Sequence, residues 1–180
     1  TRVGVSRLSP NGGWRHFTVN DGLPGGNTTS ISVTSSENVW IGTTAGLFHY
    51  DDGESTVYTS ALPNAHVNAV YRRSAGAGDL WVGTAGGIGV LDGTSWRRYG
   101  TFDGLPSPAV NDFIEDGTGM LWTATDGGLA QFFNSSWVSV DLPPEVRNEQ
   151  VLCLAKDVFT GDLWIGTTGG LVQYRVSLAH

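Results

Sequence analysis

The sequence predicts an all-β protein assembled from four repeats of about 41 residues, each a four-stranded antiparallel meander. Three observations point there. A nine-residue motif recurs as "VWIGTTAGL" from Val39, "LWVGTAGGI" from Leu80, "LWTATDGGL" from Leu121 and "LWIGTTGGL" from Leu163. Its tryptophans, Trp40, Trp81, Trp122 and Trp164, are spaced by 41, 41 and 42 residues. Glycine accounts for 26 of 180 residues, and Val, Ile, Thr, Tyr and Trp dominate between the glycines, which disfavours helix. A four-stranded unit at this period matches the blade of a β-propeller, in which each sheet buries a face against the next.

With strands labelled A to D from the centre outward, the elements follow in order. Residues 1–20 form a partial blade, a C-like "VGVSRLS" and a D-like "WRHFTV". Residues 27–60, 65–100 and 108–141 are complete blades, the third reading "AVNDFIED", "GMLWTATD", "GGLAQFF" and "SSWVSVD". Residues 149–176 supply A ("VLCLAKD"), B ("DLWIGTT") and C ("GLVQYRV"). The A-to-B turns "TSSEN", "RSAGAGD", "EDGTGM" and "VFTGD" are short and polar, as hairpins require. The total is seventeen strands in one domain spanning 1–180, whereas four closed blades need sixteen, so C is supplied twice. A closed four-blade ring and a section of a larger ring or array both remain open, and the surplus strand favours the second.

In this register each motif tryptophan is a structural residue packed between blades, and the small Thr-Gly turn lets the backbone pass closely. Trp14, Trp96 and Trp137 fall on the outer strand, where aromatics cover the blade edge; the second blade has Ser55 and Tyr58 there.

Composition narrows the function classes. A formal net charge of −7, with ten basic residues of which nine are Arg, opposes a phosphate backbone and excludes nucleic acid as the expected partner. No apolar run reaches eighteen residues, so membrane insertion is not expected. With no signal-like start and no initiating Met, the chain reads as a soluble mature protein or a piece cut from a longer one. The single cysteine, Cys153, forms no internal disulfide and reads as a buried small hydrophobe in "VLCLA".

Propeller geometry brings the D-to-A loops and the B-to-C turns to one end, the default place for binding. That end presents Asp21, Asn27, Asn64, His66, Asp103, Asn111 and Asn148 from the loops, with Thr44, Ala85, Asp126 and Thr168 from the turns. These are hydrogen-bonding groups rather than a charge cluster, which suits a polyhydroxylated ligand; the competing role for the Asp and Asn residues is turn capping. No catalytic residue, metal ligand or cofactor is expected. His16, His49, His66 and His180 fall at different repeat positions, and no zinc or hydrolase motif is present. "EDGTG" at Glu115 to Gly119 reads as a hairpin turn rather than a calcium loop. Asn27-Thr28-Thr29 and Asn134-Ser135-Ser136 fit the glycosylation acceptor pattern, without consequence in a bacterial protein.

The repeat resembles the two-component regulator propeller repeat of bacterial hybrid histidine kinases. The residues that carry the resemblance are "DGLPSPAVNDFIEDGTGMLWTATDGGLAQF" from Asp103 to Phe132, with "DGLPGGNTTSISV", "ALPNAHVNAVY" and "LPPEVRNEQVLCLAKD" as cognate segments. It covers essentially the whole chain. The resemblance implies a periplasmic or extracellular propeller that takes part in ligand sensing or protein contacts. A second resemblance, through Trp-x-x-Thr repeats, is to the propeller lyases that inactivate streptogramins, which use a metal-assisted histidine-acid constellation.

The expected function is a non-catalytic extracytoplasmic module that binds an unknown small molecule, possible glycans included, or a protein partner. The alternatives are a structural repeat protein that associates through unpaired terminal strands, as a homo-oligomer or with the missing blades of a longer chain, and a metal-dependent lyase-like propeller.

Overall fold

The computed structural model of the chain describes residues 4–9, 11–25, 27–35, 37–74 and 79–176. Val5–Leu8 (β1) and Trp14–Phe17 (β2) pair as a two-stranded sheet. Three four-stranded sheets follow. The first holds Thr28–Ser35 (β3), Asn38–Thr43 (β4), Gly46–Asp51 (β5) and Glu54–Tyr58 (β6). The second holds Val67–Arg72 (β7), Leu80–Thr84 (β8), Gly87–Asp92 (β9) and Ser95–Tyr99 (β10). The third holds Val110–Glu115 (β11), Leu121–Thr125 (β12), Gly128–Phe133 (β13) and Ser136–Val140 (β14). Val151–Lys156 (β15), Leu163–Thr167 (β16) and Gly170–Tyr174 (β17) close the order as a three-stranded sheet. Residues 1–3 and 10 of the expected partial blade, residues 36 and 75–78 of the expected turns, and His180 lie outside the described residues.

The first strands of successive sheets, β3, β7, β11 and β15, stand side by side and line one axis. Among the described residues no ladder joins the two-stranded sheet to the three-stranded one, so the arrangement is an open arc and the closed four-blade ring is corrected. Among the described residues β1 and β2 pair only with each other and β17 pairs only with β16, so the outer strands at the two ends of the chain belong to separate sheets.

Each motif tryptophan points at the following sheet. Trp40 shares a core cluster with Val67, Val70, Leu80 and Val82, Trp81 with Phe113 and Leu121, and Trp122 with Val151, Leu154 and Ile165. Trp164 is 36% exposed, because no sheet follows its own among the described residues. The outer-strand aromatics work in the opposite direction and cover the preceding sheet. Trp137 meets Trp81 edge-on at 5.8 Å, and Trp96 lies 5.4 Å from Tyr58. Burying an indole contributes roughly 4–6 kcal/mol as an upper bound, from ~150–250 Å² at ~25 cal/mol per Å².

The close approach that this packing needs explains the glycine before the motif threonine. A Cβ on Gly42 would lie 2.7 Å from Val67 Cγ1, and one on Gly83 would lie 2.6 Å from Val110 Cγ1. The threonine itself organises the turn. The hydroxyls of Thr43, Thr84, Thr125 and Thr167 donate to the carbonyls of Gly46, Gly87, Gly128 and Gly170 at 2.8–2.9 Å. Each also accepts the N–H two residues on, at 3.1–3.2 Å.

Hydrogen bonds across the blade boundary set the register. β3, β7 and β11 each carry a bulge at the second residue, and the bulged side chain reaches the next sheet. Thr29 Oγ1 donates to Val67 O at 2.7 Å, Asn68 Nδ2 to Val110 O at 2.9 Å and Asn111 Nδ2 to Val151 O at 2.8 Å. The next residue accepts in return: Val70 N–H donates to Ser30 Oγ at 3.0 Å and Leu154 N–H to Asp112 Oδ2 at 2.8 Å. Cys153 occupies that same position in the last sheet, and with no following sheet among the described residues it is exposed. The expectation of a buried thiol is therefore corrected.

At the other end of the first strands an ion pair crosses the boundary. Arg73 Nε donates to Glu115 Oε1 at 2.8 Å, Ser74 N–H donates to Glu115 Oε2 at 2.9 Å, and the Tyr71 hydroxyl accepts the Glu115 N–H at 3.2 Å. Burial pushes the Glu115 carboxyl up, but the Arg73 guanidinium and the Ser74 N–H outweigh it and hold it below its ordinary value of 4.5. The adjacent Asp116 follows the same logic: burial raises it, while Thr118, Trp122 and Met120 hold it below 3.8. "EDGTG" is a hairpin turn in which Asp116 Oδ1 accepts the Thr118 and Met120 N–H groups.

Two outcomes are expected. Gly83→Ala lowers stability by about 1–3 kcal/mol through overpacking against Val110, read as a lower urea midpoint at constant slope. A carboxyl held below its unfolded value contributes stability that is full above 4.5 and is lost as pH falls through the folded value. Glu115→Gln therefore costs about 1.5–3 kcal/mol near neutral pH and flattens the acid limb of stability against pH below ~4.5, followed by urea titrations at stepped pH.

Candidate functional site

The D-to-A loops and B-to-C turns do meet at one end, and one hydrogen bond repeated four times brings them there. Thr44, Ala85, Asp126 and Thr168 donate their N–H groups to the carbonyls of Asn27, His66, Ala109 and Gln150, each at 3.0 Å. The residue before each first strand is thereby tied to the turn of its own sheet.

Within the loops, the repeated letters act structurally. In the "DGLP" segments Asp21 and Asp103 cap single 3-10 turns, Val19–Asp21 and Thr101–Asp103. Asp21 Oδ2 accepts the Thr18 N–H at 2.9 Å, and Asp103 Oδ2 accepts the Gly100 N–H at 2.8 Å. The bond from the Thr18 backbone, then that from its hydroxyl, holds the Asp21 carboxyl below its ordinary value. The glycine that follows, Gly104, adopts φ +95°, and a Cβ there would lie 1.9 Å from Trp137 O. The leucine is the latch: Leu23, Leu62, Leu105 and Leu142 are each 4% exposed, sealing the seam at every loop.

The other sequence-predicted residues divide in two. Asn64 Oδ1 accepts the His66 N–H at 2.8 Å, Thr44 Oγ1 accepts the Asn27 N–H at 3.1 Å, and Asn111 bridges Asp126 Oδ1 and the next sheet. Thr168 Oγ1 donates to Glu149 and accepts the Gln150 N–H. The side chains of Asn27, His66 and Asn148 are exposed and make no hydrogen bond among the described residues, and Asp126 is exposed beside them in kind. The arrangement therefore offers a rigid rim with three unengaged polar side chains, Asn27, His66 and Asn148, beside the exposed Asp126 carboxylate, one oxygen of which already accepts from Asn111.

Sequence reasoning missed the opposite end, where the A-to-B and C-to-D turns gather buried charge around Glu115 and Asp116. The signal was present in the repeat itself. Arg72 and Arg73 occupy the register positions that Glu115 and Asp116 occupy one sheet later, a reversal of charge at equivalent sites.

No family model and no curated protein matches the sequence. Solved structures do match. The extracellular domain of one hybrid two-component system of B. thetaiotaomicron is 22% identical with a TM-score of 0.77, over 97% of this chain and 28% of that one. A second from the same organism is 20% identical with a TM-score of 0.78, over 99% of this chain and 27% of that one. Virginiamycin B lyase from Staphylococcus aureus is 14% identical with a TM-score of 0.71, over 98% of this chain and 64% of that one. The chain thus spans about a quarter of the length of the two-component domains it matches. Its fold is that of β-propeller blades, shared with the extracellular domains of hybrid two-component systems.

Proposed function

We propose that this chain is a non-catalytic propeller module of the sensor kind, working outside the cytoplasm and binding a polyhydroxylated ligand such as a glycan at its D-to-A loop end. The observation that carries the reading is the fourfold bond from the B-to-C turns to the D-to-A loops, which fixes the rim from which His66, Asn27, Asn148 and Asp126 project. Rigid placement lowers the ordering cost of binding, and amide, imidazole and carboxylate groups supply the donors and acceptors that hydroxyl groups pair with. The fold shared with the extracellular domains of hybrid two-component systems supports both the location and the sensor role.

Because Asp21, Asp103, Asn64 and Asn111 are engaged in caps and blade contacts, recognition falls to the exposed side chains that the repeat does not reuse. The test is a printed oligosaccharide array probed with the fluorescently labelled chain. One structural class of oligosaccharide should be retained, and a double variant, His66→Ala with Asn148→Ala, should weaken that binding about tenfold while leaving the melting temperature unchanged. A silent array, or equal binding by the double variant, would rule the reading out.

A further inference from the structure

A crevice of about 190 Å³ opens between the first and second four-stranded sheets, at the end opposite the loop rim. Asn38, Trp40 and His49 line it from one sheet, and Arg72, Asp79 and Leu80 from the next. Trp40 is 4% exposed, and its indole Nε1 has no hydrogen-bond partner among the described residues.

The repeat shows what that indole lacks. Two sheets later, Trp122 Nε1 donates to Asp116 Oδ2 at 2.8 Å, so a carboxylate satisfies the equivalent N–H. Thr34 occupies the register position of Asp116 in the Trp40 sheet, and its hydroxyl is turned to Asn38 Oδ1 at 2.7 Å. Trp81 and Trp137 also carry unpartnered indole nitrogens, but they sit inside aromatic packing against Phe113 and Phe132. Of the three residues, only Trp40 lines a described crevice, and that crevice also holds a cation, the Arg72 guanidinium.

The Arg72 side chain makes no ion pair or hydrogen bond among the described residues, and Asp79, on the same wall, makes no ion pair with it. His49 stacks on Trp40 with ring centroids 3.6 Å apart, and its Nε2 lies 3.2 Å from Asn38 Oδ1. Burial first, and then the Arg72 charge, push the His49 imidazole below its ordinary value against the pull of Asp51. Arg72 is thus the cation of the crevice and His49 its neutral wall.

We propose that this crevice is a second binding site, for a small carboxylate that carries a hydroxyl or ammonium donor close by. The carboxylate takes the Trp40 Nε1–H and the Arg72 guanidinium, as Asp116 takes the Trp122 N–H within the chain, and the second donor meets the Asp79 carboxylate. The experiment follows the Trp40 indole signal of the ¹⁵N-labelled chain during titration with glycolate and with glycine, which separates the hydroxyl from the ammonium source. The amides glycolamide and glycinamide serve as controls without the carboxylate, and Trp40→Phe identifies the signal. The Trp40 resonance should shift saturably with at least one acid and with neither amide, and Arg72→Gln, at an exposed position, should weaken the effect about tenfold without changing the melting curve. A Trp40 signal unmoved by either acid, or moved equally in Arg72→Gln, would overturn the proposal.

Discussion

The indole of the second-strand tryptophan projects from each sheet toward the sheet that follows, and covering it determines how closely two sheets must sit. Burial of that ring contributes several kcal/mol per boundary. A cross-boundary hydrogen bond, such as that from Asn68 to Val110 O, contributes only about 0.5–1.5 kcal/mol net. Apolar contact therefore holds the blades together, and the polar contacts select one register among the many that greasy surfaces would allow. The glycines before the motif threonine follow from the same demand, since Gly83 leaves 2.6 Å where a Cβ would meet Val110 Cγ1. At Trp164 the same ring stands without a following sheet among the described residues, and its exposure rises to 36%.

Positioning of the loop rim is a by-product of this packing. Once the first strands are held side by side, the bulge at the start of each strand and the threonine of each turn lock the two kinds of loop together. Leu23, Leu62, Leu105 and Leu142 then seal the seam from above. A rim built this way has little freedom to rearrange, and the side chains that project from it are held in place by the shared packing.

Much of this was legible because repetition reports on contacts that recur. The spacing of Trp40, Trp81, Trp122 and Trp164 yields the blade, and the strand order with its surplus third-position strand appears in the structure as β1 and β17. What was not legible depends on partners about 40 residues away in sequence. Nothing local marks Asn111 as a donor to Val151 O, and so it read as a candidate for ligand contact. Cys153 looked buried because its neighbours are apolar, yet its exposure is decided by the following sheet and not by its own. Ring closure was not legible for a similar reason, since whether the D-like β2 meets the C-like β17 depends on the placement of strands at opposite ends of the chain, and the two pair in separate sheets.

A repeated residue is under the same demand in every blade, and the demand common to all blades is structural. Function that belongs to one place on the molecule is therefore sought where the repeat breaks. Arg72 and Arg73 against Glu115 and Asp116 form one such break, and it creates both the buried ion pair of the second boundary and the unpaired guanidinium of the first. Thr34 in place of Asp116 is another, and it leaves the Trp40 indole without the acceptor that Trp122 has. His66 and Asn148 are breaks at the opposite end, exposed on loops whose shared letters are already committed to caps and latches. Both proposals thus rest on one criterion, departure from the repeat at a position that the shared packing holds still.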